Sequence, residues 1–196
     1  MLAIINYNAG NIQSVKFAME RIGATYILTS DPEILQKADK VIFPGVGEAG
    51  STMKYLLAHK LDELIKGLKQ PVLGICLGMQ LLCESSEEGN PSCLGIIPQK
   101  VCKFSPHNQE KVPHVGWNNF RPIPHPNGIF DLVEENSYVY YVHSYYVEEG
   151  PCTVALTDYI LPFSAAVQKD NYYATQFHPE KSGAVGEQIL KNFLAL

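Results

Sequence analysis

The segment Val72-Leu73-Gly74-Ile75-Cys76-Leu77-Gly78 constrains this chain more than any other. A short apolar run, too brief for a helix, ends in a cysteine with a glycine two residues to either side, and residues 79–87 then read as a helix. That order asks for a buried strand that turns sharply into a helix through one exposed residue. It is the cysteine counterpart of the Gly-x-Ser-x-Gly nucleophile elbow, in which flanking glycines let the backbone hold the nucleophile at a strained apex. At the start of a helix the Cys76 thiol would feel the positive end of the helix dipole and nearby free N–H groups, both of which favour the thiolate. The alternative is a buried small hydrophobe, which is what most free cysteines are and what Cys83, Cys93, Cys102 and Cys152 are expected to be.

The surroundings of the elbow fit a strand-to-helix architecture. Residues 2–5 read as a strand, and residues 11–22 as a helix with Ile12, Val15, Met19 and Ile22 on one face and Gly23 as its stop. Residues 26–28 form a second short strand, Asp31-Pro32 starts a helix, residues 41–43 are strand-like, and residues 51–69 read as one long helix before the strand at 72–75. Strand and helix alternating at this spacing predict right-handed βαβ units and a parallel sheet. The second half differs: residues 91–126 are rich in turns, and residues 138–147 and 153–177 read as consecutive strands. Lys169-Asp170-Asn171 is the turn of a hairpin between residues 165–167 and 173–175. Residues 184–196 close the chain as an amphipathic helix carrying Ile189, Leu190, Phe193 and Leu194. One mixed α/β domain over residues 1–196 is expected, with a β-rich second half.

Composition narrows the function classes. A chain that is 46% hydrophobic and 18% charged has enough apolar surface for a core without metals or disulfides. Lys+Arg 15 against Asp+Glu 20, a net charge of −5, argues against a generic nucleic-acid surface or a polybasic membrane patch. The cysteines are odd in number and form no Cys-x-x-Cys, so neither a disulfide framework nor a zinc or other metal site is expected. No basic n-region opens the chain, the only Asn-x-Ser/Thr candidate, Asn90-Pro91-Ser92, is blocked by its proline, and the nearly apolar stretch 71–83 is too short to span a bilayer. A soluble, cytoplasmic protein with reduced thiols is expected.

A thiol nucleophile needs a base, and the base needs an orienting partner. His59 falls in the long predicted helix, and His107 and His125 lie in proline-rich loops. His178 differs, because it follows a strand and precedes Pro179-Glu180, which places an imidazole and a carboxylate two residues apart on one extended segment and so on one face. Glu180 can then accept from Nδ1–H and leave Nε2 to take the thiol proton. The alternative is a strand-end histidine that only caps or packs. With the elbow, the pattern predicts a catalytic triad of Cys76, His178 and Glu180.

The run Pro44-Gly45-Val46-Gly47-Glu48-Ala49-Gly50 matches Gly-x-Gly-x-x-Gly on its spacing. A dinucleotide site is disfavoured: the run follows the third strand rather than the first, Pro44 stiffens the turn, and the next strand ends without an acidic residue for a ribose. The preferred reading is an oxyanion hole built from backbone N–H groups of Gly45, Val46 and Gly47 together with that of Leu77; a plain structural tight turn is the alternative.

These segments together carry a resemblance. Gly74-Ile75-Cys76-Leu77-Gly78-Met79-Gln80, Pro44-Gly45-Val46-Gly47 and His178-Pro179-Glu180-Lys181-Ser182 resemble the triad (class I) glutamine amidotransferases. Pro113-His114-Val115-Gly116-Trp117-Asn118, Tyr140-Tyr141-Val142-His143-Ser144-Tyr145 and the opening Asn6-Tyr7-Asn8-Ala9-Gly10-Asn11 are similar to the glutaminase subunits of imidazole glycerol phosphate synthase, over the whole chain.

The resemblance implies the class I glutamine amidotransferase fold, a central mixed, mostly parallel sheet flanked by helices. It implies glutamine hydrolysis through a γ-glutamyl thioester on Cys76, with no cofactor, and a glutamine pocket lined by Gly47, Leu77, Gln80, Glu88, Ser144 and Tyr145. A carboxylate at Glu88 suits the substrate's α-ammonium, the alternative being a solvated helix-end acid. It also implies a (β/α)₈-barrel cyclase as heterodimer partner, receiving ammonia to make imidazole glycerol phosphate and aminoimidazole carboxamide ribonucleotide, with Asn11, Trp117, Tyr140 and Lys181 facing it. Read alone, Trp117 could equally be a core residue, Tyr140 a sheet residue and Lys181 a solvated loop charge. A paralogous amidotransferase feeding another acceptor, such as a sugar precursor or anthranilate, and a catalytically silent binding module are the competing readings.

Overall fold

The computed structural model describes residues 1–7, 12–107, 109–123 and 128–196. The first half follows the alternation expected from the sequence: β1 (Leu2–Ile5), α1 (Ile12–Arg21), β2 (Tyr26–Thr29), α2 (Pro32–Lys37), β3 (Lys40–Gly45), α3 (Ala49–Ala58), α4 (Leu61–Gly67), β4 (Val72–Cys76) and α5 (Leu77–Leu82). Asp31 caps α2 as its position before Pro32 suggests, its carboxylate accepting from the Glu33 N–H at 2.9 Å. The second half adds β5 (Ser85–Ser86), β6 (Lys100–Lys103), β7 (His114–Asn119), β8 (Arg121–Pro122), β9 (Tyr138–His143), β10 (Tyr145–Val147), β11 (Thr153–Asp158), β12 (Pro162–Lys169), β13 (Tyr172–Thr175), a 3₁₀ turn (Pro179–Lys181) and α6 (Gly183–Ala195).

Among the described residues, eleven strands form one mixed sheet whose main order is β2-β1-β3-β4-β13-β12-β10-β6-β5, with β11 and β8 beyond β12. From β2 to β13 neighbours run parallel, and from β13 through β12, β10 and β6 they run antiparallel. β7 and β9 form a separate antiparallel ribbon. Alternation along each central strand feeds two cores. Ala3, Ile5, Val41 and Phe43 pack with α2 to α5 through Leu35, Met53, Leu56 and Ile65. Leu2, Ile4, Ile42, Leu73 and Ile75 face the other way, toward Val15 and Met19 of α1 and Ile189, Leu190 and Phe193 of α6. The parallel strands β1, β3, β4 and β13 therefore lie between helical layers and end at one edge, the edge where an open α/β sheet places its ligands.

Four expectations change. The predicted helix over 51–69 is two helices, because Lys60 takes a left-handed conformation at φ 55° and interrupts the hydrogen-bond ladder between α3 and α4. Asp62 and Glu63 then fall in the first turn of α4, where acids suit the helix dipole. The helix predicted to reach residue 87 stops at Leu82: Ser85 and Ser86 pair with Lys100 and Val101 as a parallel strand, an alternative only the tertiary fold offers. The turn-rich stretch 91–126 contains β6, β7 and β8, and the apparent strand over 138–147 is split at Ser144 between the ribbon and the main sheet. The hairpin is as expected, with Lys169 opposite Tyr172 across a two-residue turn. No helix among the described residues is long and apolar enough to cross a membrane.

Candidate active site

Cys76 ends β4 and precedes α5 with φ 54° and ψ −109°, a conformation that costs a non-glycine residue strain. The surroundings hold it there. Gly45 lies opposite Cys76 in the β3–β4 register, and a Cβ on Gly78 would clash with the Phe43 carbonyl oxygen, so the first turn of α5 sits directly on the end of β3. Gly45 is also tight, its hypothetical Cβ falling 2.7 Å from the Gly78 nitrogen. The bracketing glycine after the cysteine thus serves close backbone approach, and the positive φ is carried by Cys76 itself.

His178 follows β13 by three residues. Its backbone N–H donates to the Tyr140 carbonyl at 2.9 Å, and its Nδ1 bonds Glu180 Oε1 at 2.7 Å, both side chains being 1% exposed. Glu180 reaches the ring because Pro179–Lys181 is a 3₁₀ turn, whereas the sequence predicts an extended segment for the pair. Nε2 of His178 has no hydrogen-bond partner among the described residues, nor has Glu180 Oε2. Burial by itself would depress the imidazole pKa, but the nearby Cys76 sulfur and the bonded Glu180 outweigh it and raise His178 to about 10.

The glycine run does several separate jobs. Gly47 has φ +125°, which L side chains rarely adopt, and turns the chain out of β3. Glu48 then caps α3, its carboxylate accepting from the Gly50 and Ser51 N–H groups at 2.9 and 2.6 Å. Glu88 Oε2 accepts from the Ala49 N–H at 2.8 Å, so this acid belongs to the α3 N-terminus rather than to a solvated helix end. Half-burial is the main influence on Glu88 and raises its pKa; the Ala49 bond opposes this and Glu48 adds to it.

A cleft of about 340 Å³ opens over the elbow. Val46, Gly47, Cys76, Leu77, Gln80, Glu88, Ser144, Tyr145 and His178, all named from the sequence, line it. Gly45 and Glu180 lie behind it, beside a much smaller void of about 10 Å³. Trp117, 56% exposed, and Tyr140 stack edge to face on the β7–β9 ribbon at 6.1 Å, and Lys181 is exposed next to Glu180. Asn11 lies outside the described residues, as does His125. Among the described residues no group of three or more His, Cys, Asp or Glu side chains is placed to hold a metal.

Sequence reasoning missed several supporting residues. Ser182 donates to the His178 carbonyl at 2.6 Å and accepts from the Tyr140 N–H at 3.0 Å, clamping the ribbon onto the histidine. Tyr7 is buried with its hydroxyl donating to the Pro44 carbonyl; burial first, then the neighbouring Cys76, pushes its pKa well up. His114 and His143 form a buried pair, Nδ1 to Nε2, at 3.0 Å. Burial depresses His114 to about 4; for His143 burial is again the largest influence and takes it to about 3. Both are polar residues inside an apolar ribbon pattern, Pro113-His114-Val115 and Val142-His143-Ser144, and that contrast is the signal the sequence carries.

The family model for the class I glutamine amidotransferases matches residues 3–196. The chain is 57% identical over 196 residues to the imidazole glycerol phosphate synthase subunit HisH of Bacteroides fragilis, covering 100% of this chain and 99% of that one. It is 58% identical to the HisH subunit of Bacteroides thetaiotaomicron and 44% identical to that of Yersinia pseudotuberculosis, with the same coverage in each case. Among solved structures, a putative GMP synthase subunit from Thermoplasma acidophilum superposes with a TM-score of 0.74 at 20% identity, covering 100% of this chain and 92% of that one. PurLQS from Thermotoga maritima gives 0.71 at 16% identity, covering 99% and 97%.

Proposed function

The chain belongs to the class I glutamine amidotransferases, and within them to the glutaminase subunits of imidazole glycerol phosphate synthase; from that membership we propose that it hydrolyses glutamine through Cys76, His178 and Glu180 and hands the ammonia to a partner chain. The observation that carries this reading is the meeting, around one cleft, of the strained Cys76 elbow, the Gly47 turn and a buried histidine whose far nitrogen is bonded by Glu180.

Glutamine enters with its side-chain amide over Cys76. Glu88, at the rim, takes the α-ammonium, and the backbone around Ser144 and Tyr145 closes around the short amide arm. The Cys76 sulfur attacks the γ-carbon, and the oxygen that becomes negative is met by the Leu77 N–H at the start of α5 and by N–H groups of the Val46-Gly47 turn. His178, holding at Nε2 the proton it took from the Cys76 thiol, gives that proton to the amide nitrogen; the C–N bond breaks, ammonia leaves, and a γ-glutamyl thioester remains. Water then attacks the thioester carbon with His178 taking its proton, and the C–S bond breaks to return the Cys76 sulfur and release glutamate. Glu180 keeps the ring in one orientation and stabilises its charge throughout.

The acceptor site belongs to another chain in this reading. The relatives are named as subunits, and the β7–β9 ribbon with exposed Trp117 and half-buried Tyr140, together with exposed Lys181, supports docking of a (β/α)₈-barrel cyclase there. There ammonia joins the phosphoribulosyl formimino precursor to give imidazole glycerol phosphate and aminoimidazole carboxamide ribonucleotide, in the cytoplasm. Five free cysteines suit that reducing compartment. Mixing the purified chain with the cyclase and its precursor, with glutamine as the sole nitrogen source, is expected to give imidazole glycerol phosphate. Glutamine turnover without that product, alongside product formation with a sugar or chorismate acceptor system, would transfer the chain to a paralogous pathway.

A further inference from the structure

Gln176 is wholly buried between β13 and His178, and the catalytic steps give it no part. Its side chain lies between two others. Gln80 Nε2 contacts Gln176 Oε1 at 2.9 Å, and Gln176 Nε2 contacts Cys76 Sγ at 3.7 Å.

The hydrogen bonds leading away from Gln176 fix which end of its amide faces the sulfur. The Tyr145 carbonyl can only accept, so the Gln80 atom 3.0 Å from it is the NH₂ group. That NH₂ group also meets Gln176, which must therefore turn its oxygen toward Gln80 and its own NH₂ toward Cys76. The Tyr145 carbonyl is itself anchored: His143 Nδ1 lies 2.7 Å away and must carry a hydrogen to bond it. In the neutral ring His143 Nε2 is then an acceptor, satisfied by Nδ1–H of His114, whose remaining Nε2 faces the Asn118 amide at 3.4 Å. Every donor and acceptor in the row has one consistent assignment, ending in an N–H aimed at the sulfur.

We propose that Gln176 is a positioning residue for the nucleophile, donating from Nε2 to the Cys76 sulfur, and that Gln80, the Tyr145 carbonyl and the His143–His114 pair hold it in that orientation. A donor at this place favours the sulfur when it carries negative charge, before attack and again as the thioester breaks. It also fixes the direction of the sulfur relative to the amide carbon. The role rests on the reading of Cys76 as the nucleophile.

Two variants of the full chain test it. Gln176→Met keeps the volume and removes the donor; Gln176→Asn keeps the amide and withdraws it from the sulfur by one methylene. Iodoacetamide labelling of Cys76 at pH 7, read by mass spectrometry of its peptide, is expected to slow about tenfold in either folded variant, the loss typical of one hydrogen bond to a charged group. In the complex with the cyclase, glutamine kcat is expected to fall by a similar factor with KM within about twofold, since Gln80, the one pocket residue bonded to Gln176, keeps its bond to the Tyr145 carbonyl. A folded variant labelled as fast as the wild type overturns the proposal, as does a loss confined to KM. Cys76→Ala separates the two readings. Retained turnover there removes the nucleophile assignment, whereas a dead Cys76→Ala beside a normally labelled Gln176→Met removes only the role of Gln176.

Discussion

At the residue scale the chemistry depends on backbone that side chains did not have to supply. The φ of 54° at Cys76 is held by Gly45 and Gly78 against the end of β3, not by the sulfur. Cys76→Ala is therefore expected to abolish glutamine turnover while leaving the circular dichroism melt within a few degrees of wild type; residual turnover would show the thiol to be packing only. Gly47→Val puts a branched side chain at φ +125° and is expected to cost about 10²–10³ in kcat, the usual cost of losing an oxyanion donor. The His178 pKa, raised from 6.5 to about 10, also makes a stability statement. A raised pKa means the folded state binds the proton more tightly, so this contribution is complete below about pH 6.5 and disappears as pH climbs through about 10. The difference in denaturation midpoint between wild type and His178→Asn is expected to be largest near pH 6 and to shrink steadily toward pH 10.5. A difference that grows over that range would reverse the assignment.

At the scale of elements the ribbon β7–β9 is the part that the sequence described least well and the site needs most. Its second strand ends at His143, the chain breaks at Ser144, and β10 resumes in the main sheet, which leaves Ser144 and Tyr145 lining the cleft. Continuous apolar alternation over 138–147 hid that break, because a change of sheet does not alter the period of two. The same ribbon touches His178 through two backbone groups of Tyr140, one of them by way of Ser182. Ser182→Ala removes that bridge and leaves buried polar groups short of a partner, a cost of about 1–3 kcal/mol. For a chain of this size it is expected to lower Tm by several degrees, and to reduce kcat more than KM, because the histidine is moved and the glutamine pocket is not. An unchanged melt would mean the backbone groups find other partners. The α3–α4 break and the short α5 are further cases in which a helical period was real and the tertiary pairing overrode its length.

At the scale of the molecule, the five parallel strands gather Tyr7, Gly45, Cys76 and His178 at one edge although they are spread over most of the chain. The exposed aromatic ribbon stands beside that edge: Trp117 and Tyr138 are 56% and 59% exposed, an arrangement that suits docking better than packing. Trp117→Ala is expected to weaken association with the cyclase by at least tenfold, measured by calorimetry, with the melt of the chain alone unchanged, as for a central aromatic anchor. A shifted melt with undiminished affinity would return Trp117 to a purely structural role.

The elbow motif around Cys76, the adjacent His178 and Glu180, the alternating first half and the family are legible in the sequence, since each is written in residue types close together in the chain. What surrounds them comes from folding: Glu88 joins the α3 N-terminus, His114 and His143 pair, Ser182 ties Tyr140 to His178, and Gln176 turns an N–H toward the sulfur. Those contacts join residues up to 100 positions apart, as Cys76 and Gln176 are. A buried polar side chain takes its partner from the elements that fold over it, and no local period records which elements those will be.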